Sequence, residues 1–335
     1  MEPEIVNEHQ CDCLTQLIKS VKLPFDREEP TPLQLDCSII KDFYFVLVSI
    51  SHQTSSLSGP NLVGTIQGKS LRGWDYLRAK LCVAIHTNPS IISPVNLASI
   101  SSNNLKIALE DDNGRLSVSD LKGRVLLLND LGERMLNLGY DSVQRLYDQS
   151  EGWLVREDKL GLLQQLTSFK AYSDPMRKKS LFLTTLMKNH GFWNYQDEDK
   201  LGPPVDYHEI RGHLRFGTIE AKEPKLFKKL QKNCKITEKE DIGIRHAVYK
   251  AIMRISRDSN TSPSVLHYFF WNLFRNCCDR KHPHCVSCPL NCALPERYVQ
   301  LKKHKHIAGC LLSPYCASAD SEEKLLEPKV VTEYY

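Results

Sequence analysis

The chain has 335 residues, 41% of them hydrophobic and 25% charged, with a formal net charge of +4. That is the profile of a soluble globular protein filling one large domain or two ordinary ones. No apolar run is long enough to span a bilayer, and MEPEIVNEHQ lacks a basic stretch followed by an apolar one, so no membrane span or secretory signal is expected and the protein is expected inside the cell. The charge is unevenly placed: residues 1–169 carry 16 Lys+Arg against 21 Asp+Glu, residues 170–310 carry 26 against 14, and residues 311–335 carry 2 against 5. The basic middle suits a phosphate-binding surface.

In chain order, residues 1–40 are mixed and interrupted by DREEPTP, as in an N-terminal extension with little structure of its own. From Lys41 the apolar run KDFYFVLVSISHQT fits a strand or a buried helix equally well. After the turn-rich SSLSGPNLVGTIQGKS, Trp74, Leu77, Leu81 and Ala84 recur at helical spacing, and NPSIISPVNLASISSNN carries a short helix at most. Val125, Leu128, Leu131, Met135 and Leu138 form a helical stripe ending at Gly139, and Asp141 is expected to cap another helix. Further helices are expected in DKLGLLQQLTSF and in EKEDIGIRHAVYKAIMRIS, whose Ile242, Val248, Ile252 and Ile255 can face one core. SPSVLHYFFWNLFRNCC reads as the last helix. The class is mostly α, in two packed helical subdomains within residues 41–275, followed by a cysteine loop at 276–316 and a tail at 317–335.

Chemistry concentrates between Asp174 and Arg215. Asp174-Pro175 reads as a helix start, with Lys178 and Lys179 in its first turns, where the helix dipole disfavours a cation. Dipole and burial together would lower an amine's pKa toward the nucleophilic range. Pro203 and Pro204 hold the chain extended before Asp206, which sits at the N-cap of the next helix. A carboxylate there could stabilise the cationic sugar formed as an N-glycosidic bond breaks, or activate the attacking group. Arg211 and Arg215 share one helix face, where they would pair with carboxylates of the fold or reach a substrate.

Of twelve cysteines, Cys277, Cys278, Cys285, Cys288 and Cys292 crowd together, with Cys310 and Cys316 beyond. Without a secretory signal, such crowding argues for metal rather than disulfides. Cys278, Cys285, Cys288 and Cys292, with Cys277 able to replace Cys278, could hold zinc or a [4Fe–4S] cluster. Arg280, Lys281, His282 and His284 inside the loop would face a backbone phosphate.

These residues carry a resemblance. VDYHEIRGHLR resembles the signature of the helix-hairpin-helix, Gly/Pro-Asp DNA glycosylases of the endonuclease III type, and RKKS resembles that family's Schiff-base lysine segment. CDRKHPHCVSC resembles the family's iron–sulfur loop. TSFKAYSDPMR lacks the glycines of the family's hairpin, and the interval from Lys179 to Asp206 is longer; both features are similar to the archaeal 8-oxoguanine DNA glycosylases. GWDYLRAKL, GERMLNLGYDSVQRLY, EDIGIR and LHYFFWNLFR are similar to segments of the queuosine salvage glycosylases, which would place the working lysine at Lys178. The resemblance implies a monomeric N-glycosylase of base excision repair acting on DNA. In it Asp206 is the catalytic aspartate, Lys179 or Lys178 is the nucleophile of an abasic-site lyase, and a [4Fe–4S] cluster (alternatively zinc) shapes the DNA-binding loop. A flipped base would be read by stacking and edge contacts, with Gln53, Trp74, Asp75, His208, Arg211, Phe269 and Trp271 as candidates. The alternatives are release of a modified base from a free nucleotide such as queuosine 5′-phosphate, and a non-enzymatic iron–sulfur nucleic-acid binding module.

Overall fold

A computed structural model describes residues 4–21, 23, 37–54, 62–289, 293–322, 324–330 and 332–334. The class is mostly α: fourteen α-helices and four short strands occur among the described residues. The chain divides into two compact units, one built from residues 1–26 and 202–331, the other from 27–201 and 332–335.

The first unit begins with β1 (Glu4–Val6) and α1 (Glu8–Ser20), so the described part of the N-terminal segment, expected to carry little structure, holds a strand and a helix. Asn7 starts the helix by accepting from the Gln10 amide at 3.0 Å. Cys11, Leu14, Leu17 and Ile18 form its buried stripe.

The chain then enters the second unit with α2 (Cys37–Ser49). Every residue from Phe43 to Ile50 is buried. A helix covered on all sides loses the polar face that marks helical periodicity, which is why the run read equally well as strand or helix. A hairpin follows, β2 (Val63–Ile66) and β3 (Lys69–Arg72), turning through Gln67 and Gly68 at φ 50° and 74°. Two successive positive φ values make the tight turn that matches strand twist. Next come α3 (Trp74–Thr87), α4 (Pro94–Ala98), α5 (Ser102–Leu109) and α6 (Leu121–Asn137). Gly132 of α6 lets α4 approach closely, since a Cβ there would lie 2.2 Å from the Ala98 nitrogen. The buried stripe of α6 is Leu127, Leu128, Leu131 and Met135, whereas Leu138, expected in it, is exposed.

α7 (Gln144–Ser150), α8 (Leu162–Leu166) and α9 (Lys178–Asn189) complete the second unit. The cap before α7 is supplied by Asp42, whose carboxylate accepts from the Val143 amide at 2.7 Å, rather than by Asp141. α9 begins at Lys178 and not at Pro175. Asp174 still anchors that start, accepting from the Lys178 amide at 2.8 Å and the Met176 amide at 3.1 Å.

The chain re-enters the first unit through α10 (Tyr207–Phe216) and β4 (Ile219–Ala221), which pairs antiparallel with β1. α11 (Pro224–Gln231), α12 (Glu238–Ser259) and α13 (Pro263–Asn276) follow. α12 turns Ile244, Val248, Ile252 and Ile255 inward; Ile244 takes the place expected of Ile242. α10 lies against α13 where Gly212 has no side chain, a Cβ there falling 2.1 Å from the Phe274 ring. α13 is not the last helix, because α14 (Glu296–His304) forms beyond the first cysteines.

Candidate functional site

In the first unit Asp206 caps α10, as the double proline before it predicts. Its Oδ1 accepts from the His208 amide at 2.8 Å and the Glu209 amide at 3.1 Å. Glu209 returns the bond, accepting from the Asp206 amide at 3.1 Å, and its other oxygen meets His267 Nδ1 at 3.0 Å. Burial raises the Glu209 carboxyl above its ordinary range, and His267 beside it opposes that. Asp206 is 7% exposed, and among the described residues its Oδ2 accepts no hydrogen bond. A carboxylate held by one oxygen with the other open is a possible electrostatic partner for a cation.

His208, Arg211 and Trp271, expected near a substrate, also lie in this unit. His208 meets the edge of Trp271 with ring centroids 6.4 Å apart, and the Arg275 guanidinium lies over Trp271 at 4.6 Å. Phe269 is fully buried. Arg211 is turned inward: its guanidinium donates to the Cys278 carbonyl at 2.7 Å, the Phe274 carbonyl at 3.1 Å and Glu327 Oε1 at 2.9 Å. It also meets His208 Nδ1 at 2.9 Å.

One turn on, Arg215 is 2% exposed and holds the start of the cysteine loop. It donates to the Asp279 carbonyl at 2.6 Å, the Arg280 carbonyl at 3.0 Å and the Leu325 carbonyl at 2.8 Å, and reaches the Cys278 sulfur at 3.4 Å. Arg211 and Arg215 share a face, as their spacing predicts, and that face is a frame for the loop. Glu327, 1% exposed, ties the tail to the same frame by accepting from both Arg211 and Arg280.

The cysteine chain closes on itself. His284 donates its amide to the Cys277 carbonyl at 2.7 Å, and Cys310 donates to the His284 and Cys285 carbonyls at 2.9 and 3.2 Å. Cys316 Sγ donates to the Arg215 carbonyl at 3.4 Å. Burial, and then the neighbouring Cys278, Cys310 and Cys285, push the Cys316 thiol up to about 12. Cys288 faces Lys302, a lysine 6% exposed whose ammonium donates to the Cys288 sulfur. Cys292 lies outside the described residues. Thiols are the donors that zinc and iron–sulfur centres take; among the described residues no group of three His, Cys, Asp or Glu side chains that could hold a metal ion is found.

The lysines lie in the second unit. Lys179 is fully buried and donates Nζ to the Ser49 carbonyl at 2.6 Å. Burial, then the nearby Lys178 and Arg124, hold its pKa well below that of an ordinary lysine. Arg124 is itself fully buried, donating to the His52 carbonyl at 2.7 Å and meeting His52 Nε2 at 2.9 Å. Burial and these cations keep His52 neutral, its pKa driven far below the usual imidazole range. Lys178 is 9% exposed, with its amine 5.2 Å from the Phe182 ring centroid. Phe182 in turn meets Trp74 at 5.0 Å. Lys178, Phe182 and Trp74 therefore form one surface of α9 and α3, with Asp75 in the first turn of α3. Gln53 lies on the turn after α2 and donates to the Thr332 carbonyl at 3.0 Å.

Lys178, Lys179, Gln53, Trp74 and Asp75 thus belong to one unit, and Asp206, His208, Arg211 and Trp271 to the other. His52, Arg124, Lys302 and Glu327 had no signal in the sequence beyond their residue type. Cys310 and Cys316 did, as cysteines trailing the cluster. Comparison with protein-family models finds no match, and comparison with curated proteins finds none either.

Proposed function

We propose that the chain is an N-glycosylase of helix-hairpin-helix type that excises a damaged or modified base from DNA, with Asp206 as its catalytic carboxylate. The observation that carries this reading is Asp206 itself, fixed by two backbone amides on Oδ1, with Oδ2 accepting no hydrogen bond among the described residues. As the glycosidic bond lengthens, positive charge develops on the sugar, and a pre-oriented carboxylate stabilises it without having to reorganise. The excess of basic residues over 170–310 supplies phosphate contacts, and an iron–sulfur centre in the cysteine loop would shape the surface that makes them.

The lyase branch of the proposal rests on the amines of α9. Lys178 is the more accessible of the two, because Lys179 is fully buried on the Ser49 carbonyl while Lys178 borders Phe182. The same observation favours a second reading, release of a modified base from a free nucleotide, since the salvage glycosylases would use the lysine at this position.

A screen of damaged-base duplexes and modified nucleotides separates the readings. Base release from duplex DNA, abolished in Asp206→Asn, with binding that weakens steeply as salt rises, supports the first. Release from nucleotides alone would establish the second. If neither substrate class is turned over, or if Asp206→Asn keeps full activity, the glycosylase assignment fails.

A further inference from the structure

In the first unit the fold gathers lysines where no acid answers them. α11 buries Leu226 and Leu230 and gives its other side to Lys225, Lys228, Lys229 and, at its end, Lys232. Those positions are i, i+3, i+4 and i+7, which is one face of a helix. Lys225, Lys228 and Lys232 are exposed. The neighbouring acids serve elsewhere. Glu240 pairs with Lys229 at 2.6 Å and Glu220 lies 3.9 Å from Lys222. Glu223 stands two residues before Lys225, a spacing that turns the two side chains apart.

The tail then brings a distant cation to the same place. Lys235, exposed and three residues past Lys232, pairs with Lys329 in a parallel bridge, where the Ile236 amide donates to the Lys329 carbonyl at 3.4 Å. The Leu326 amide donates to the Leu230 carbonyl of α11, also at 3.4 Å. Like charges set opposite one another on paired backbones repel, so this pairing costs stability unless an anion lies across it. Among the described residues Lys225, Lys228, Lys232, Lys235 and Lys329 form no ion pair with an acid.

We propose that Lys225, Lys228, Lys232, Lys235 and Lys329 dock the phosphate backbone of DNA without regard to its sequence. From Lys225 to Lys232 the chain rises about 10 Å, the axial reach of about three phosphates of one strand. Ammonium groups on flexible stems make point contacts with phosphates and carry no base readout. A bilayer surface fits less well, because an interfacial helix lays its apolar face into the lipid. α11 has spent that face on the protein core through Leu226 and Leu230, and Phe227, at 42% exposed, is its large apolar side chain left outside. The assignment rests on the DNA reading of the proposed function and adds where the backbone is held; no chemistry at Asp206 enters it.

The test is binding of an undamaged DNA duplex to the full chain, followed by fluorescence anisotropy across a salt series. The triple variant Lys225→Gln, Lys228→Gln, Lys232→Gln removes three phosphate contacts. Its slope of log affinity against log salt should be shallower by about 2–3, and binding near about 0.1 M salt should weaken more than tenfold. A second triple variant, Lys19→Gln, Lys69→Gln, Lys170→Gln, removes the same charge from exposed lysines elsewhere and should change the slope by less than about 1. Lys329→Gln should weaken binding while its denaturation midpoint holds or rises, because the like-charge pair is relieved. Equal slopes in the wild type and the α11 variant, or equal losses in both triple variants, overturn the surface. So does binding to vesicles of phosphatidylcholine and phosphatidylserine in equal parts without binding to the duplex. Docking that depends on α11, with no base released from any substrate, keeps the surface and removes the glycosylase. Base release with an unchanged slope in the α11 variant does the reverse.

Discussion

The guanidinium of Arg215 donates to the Asp279 carbonyl at 2.6 Å while lying 3.4 Å from the sulfur of Cys278. A buried cation is therefore held by carbonyl dipoles and a thiol, and the same contacts fix the path of the loop. Lysine, with one compact ammonium, cannot span the Asp279, Arg280 and Leu325 carbonyls together. Each buried acceptor left unpaired costs about 1–3 kcal/mol. Arg215→Lys should lose roughly 2–4 kcal/mol of stability, and hydrogen exchange should quicken in α10 and over 276–289. Wild-type exchange in the variant would mean the guanidinium is dispensable.

Gly309→Ala tests the strap between Cys285 and Cys310. The new Cβ would meet backbone atoms of Cys285 and Val286, which cannot rotate away as a side chain can. Overpacking of this kind typically costs about 1–3 kcal/mol. The denaturation midpoint should fall, because the segments of Cys285 and Cys310 can no longer approach so closely. A variant with normal stability would remove Gly309 from the account.

Lys179 gives the second unit a distinctive pH dependence. Its folded pKa is depressed, chiefly by burial, so between that value and the ordinary 10.5 the unfolded chain binds a proton that the folded chain does not. Stability therefore rises with pH across this window, by at most about 1.4 kcal/mol per pH unit. His52, also depressed, contributes a rise only below its ordinary value of 6.5, so roughly pH 7 to 8.5 isolates the lysine. Three of the four tryptophans, Trp74, Trp153 and Trp193, belong to this unit, so tryptophan fluorescence in urea follows it. Lys179→Met should flatten the rise and match or exceed wild-type stability near neutrality. An unchanged slope would show that the amine is charged inside the fold.

What the sequence made legible follows from how local each signal was. Asp206 after Pro203 and Pro204 is a local signal, and the cap formed where it was expected. Asp174-Pro175 is equally local, but Arg177 adopts φ 54° and delays α9 to Lys178, leaving Asp174 to anchor the helix from outside. The run from Phe43 to Ile50 was ambiguous because all of it is buried, and burial on every side erases period. That Arg211 pairs with a carboxylate of the fold was expected, but which partners it takes could not be read, since Cys278 and Glu327 come from distant parts of the chain. Cys310 and Cys316 were visible as residues but not as neighbours of Cys285. Only the folded path of α14 and the strap after it brings them back.

Asp206 itself can be separated into cap and catalyst. Asparagine caps helices about as well as aspartate, whereas alanine at a cap costs about 0.5–2 kcal/mol. Asp206→Asn should therefore stay within about 1 kcal/mol of wild type and keep the amide bonds to His208 and Glu209, while losing the negative charge. If the carboxylate stabilises the cationic sugar, base release should drop by about 100-fold or more in the asparagine variant, with substrate affinity little changed. Asp206→Ala should show the same loss of rate plus a lower denaturation midpoint. A rate that falls only in the alanine variant, in step with stability, would leave Asp206 as a cap and nothing else.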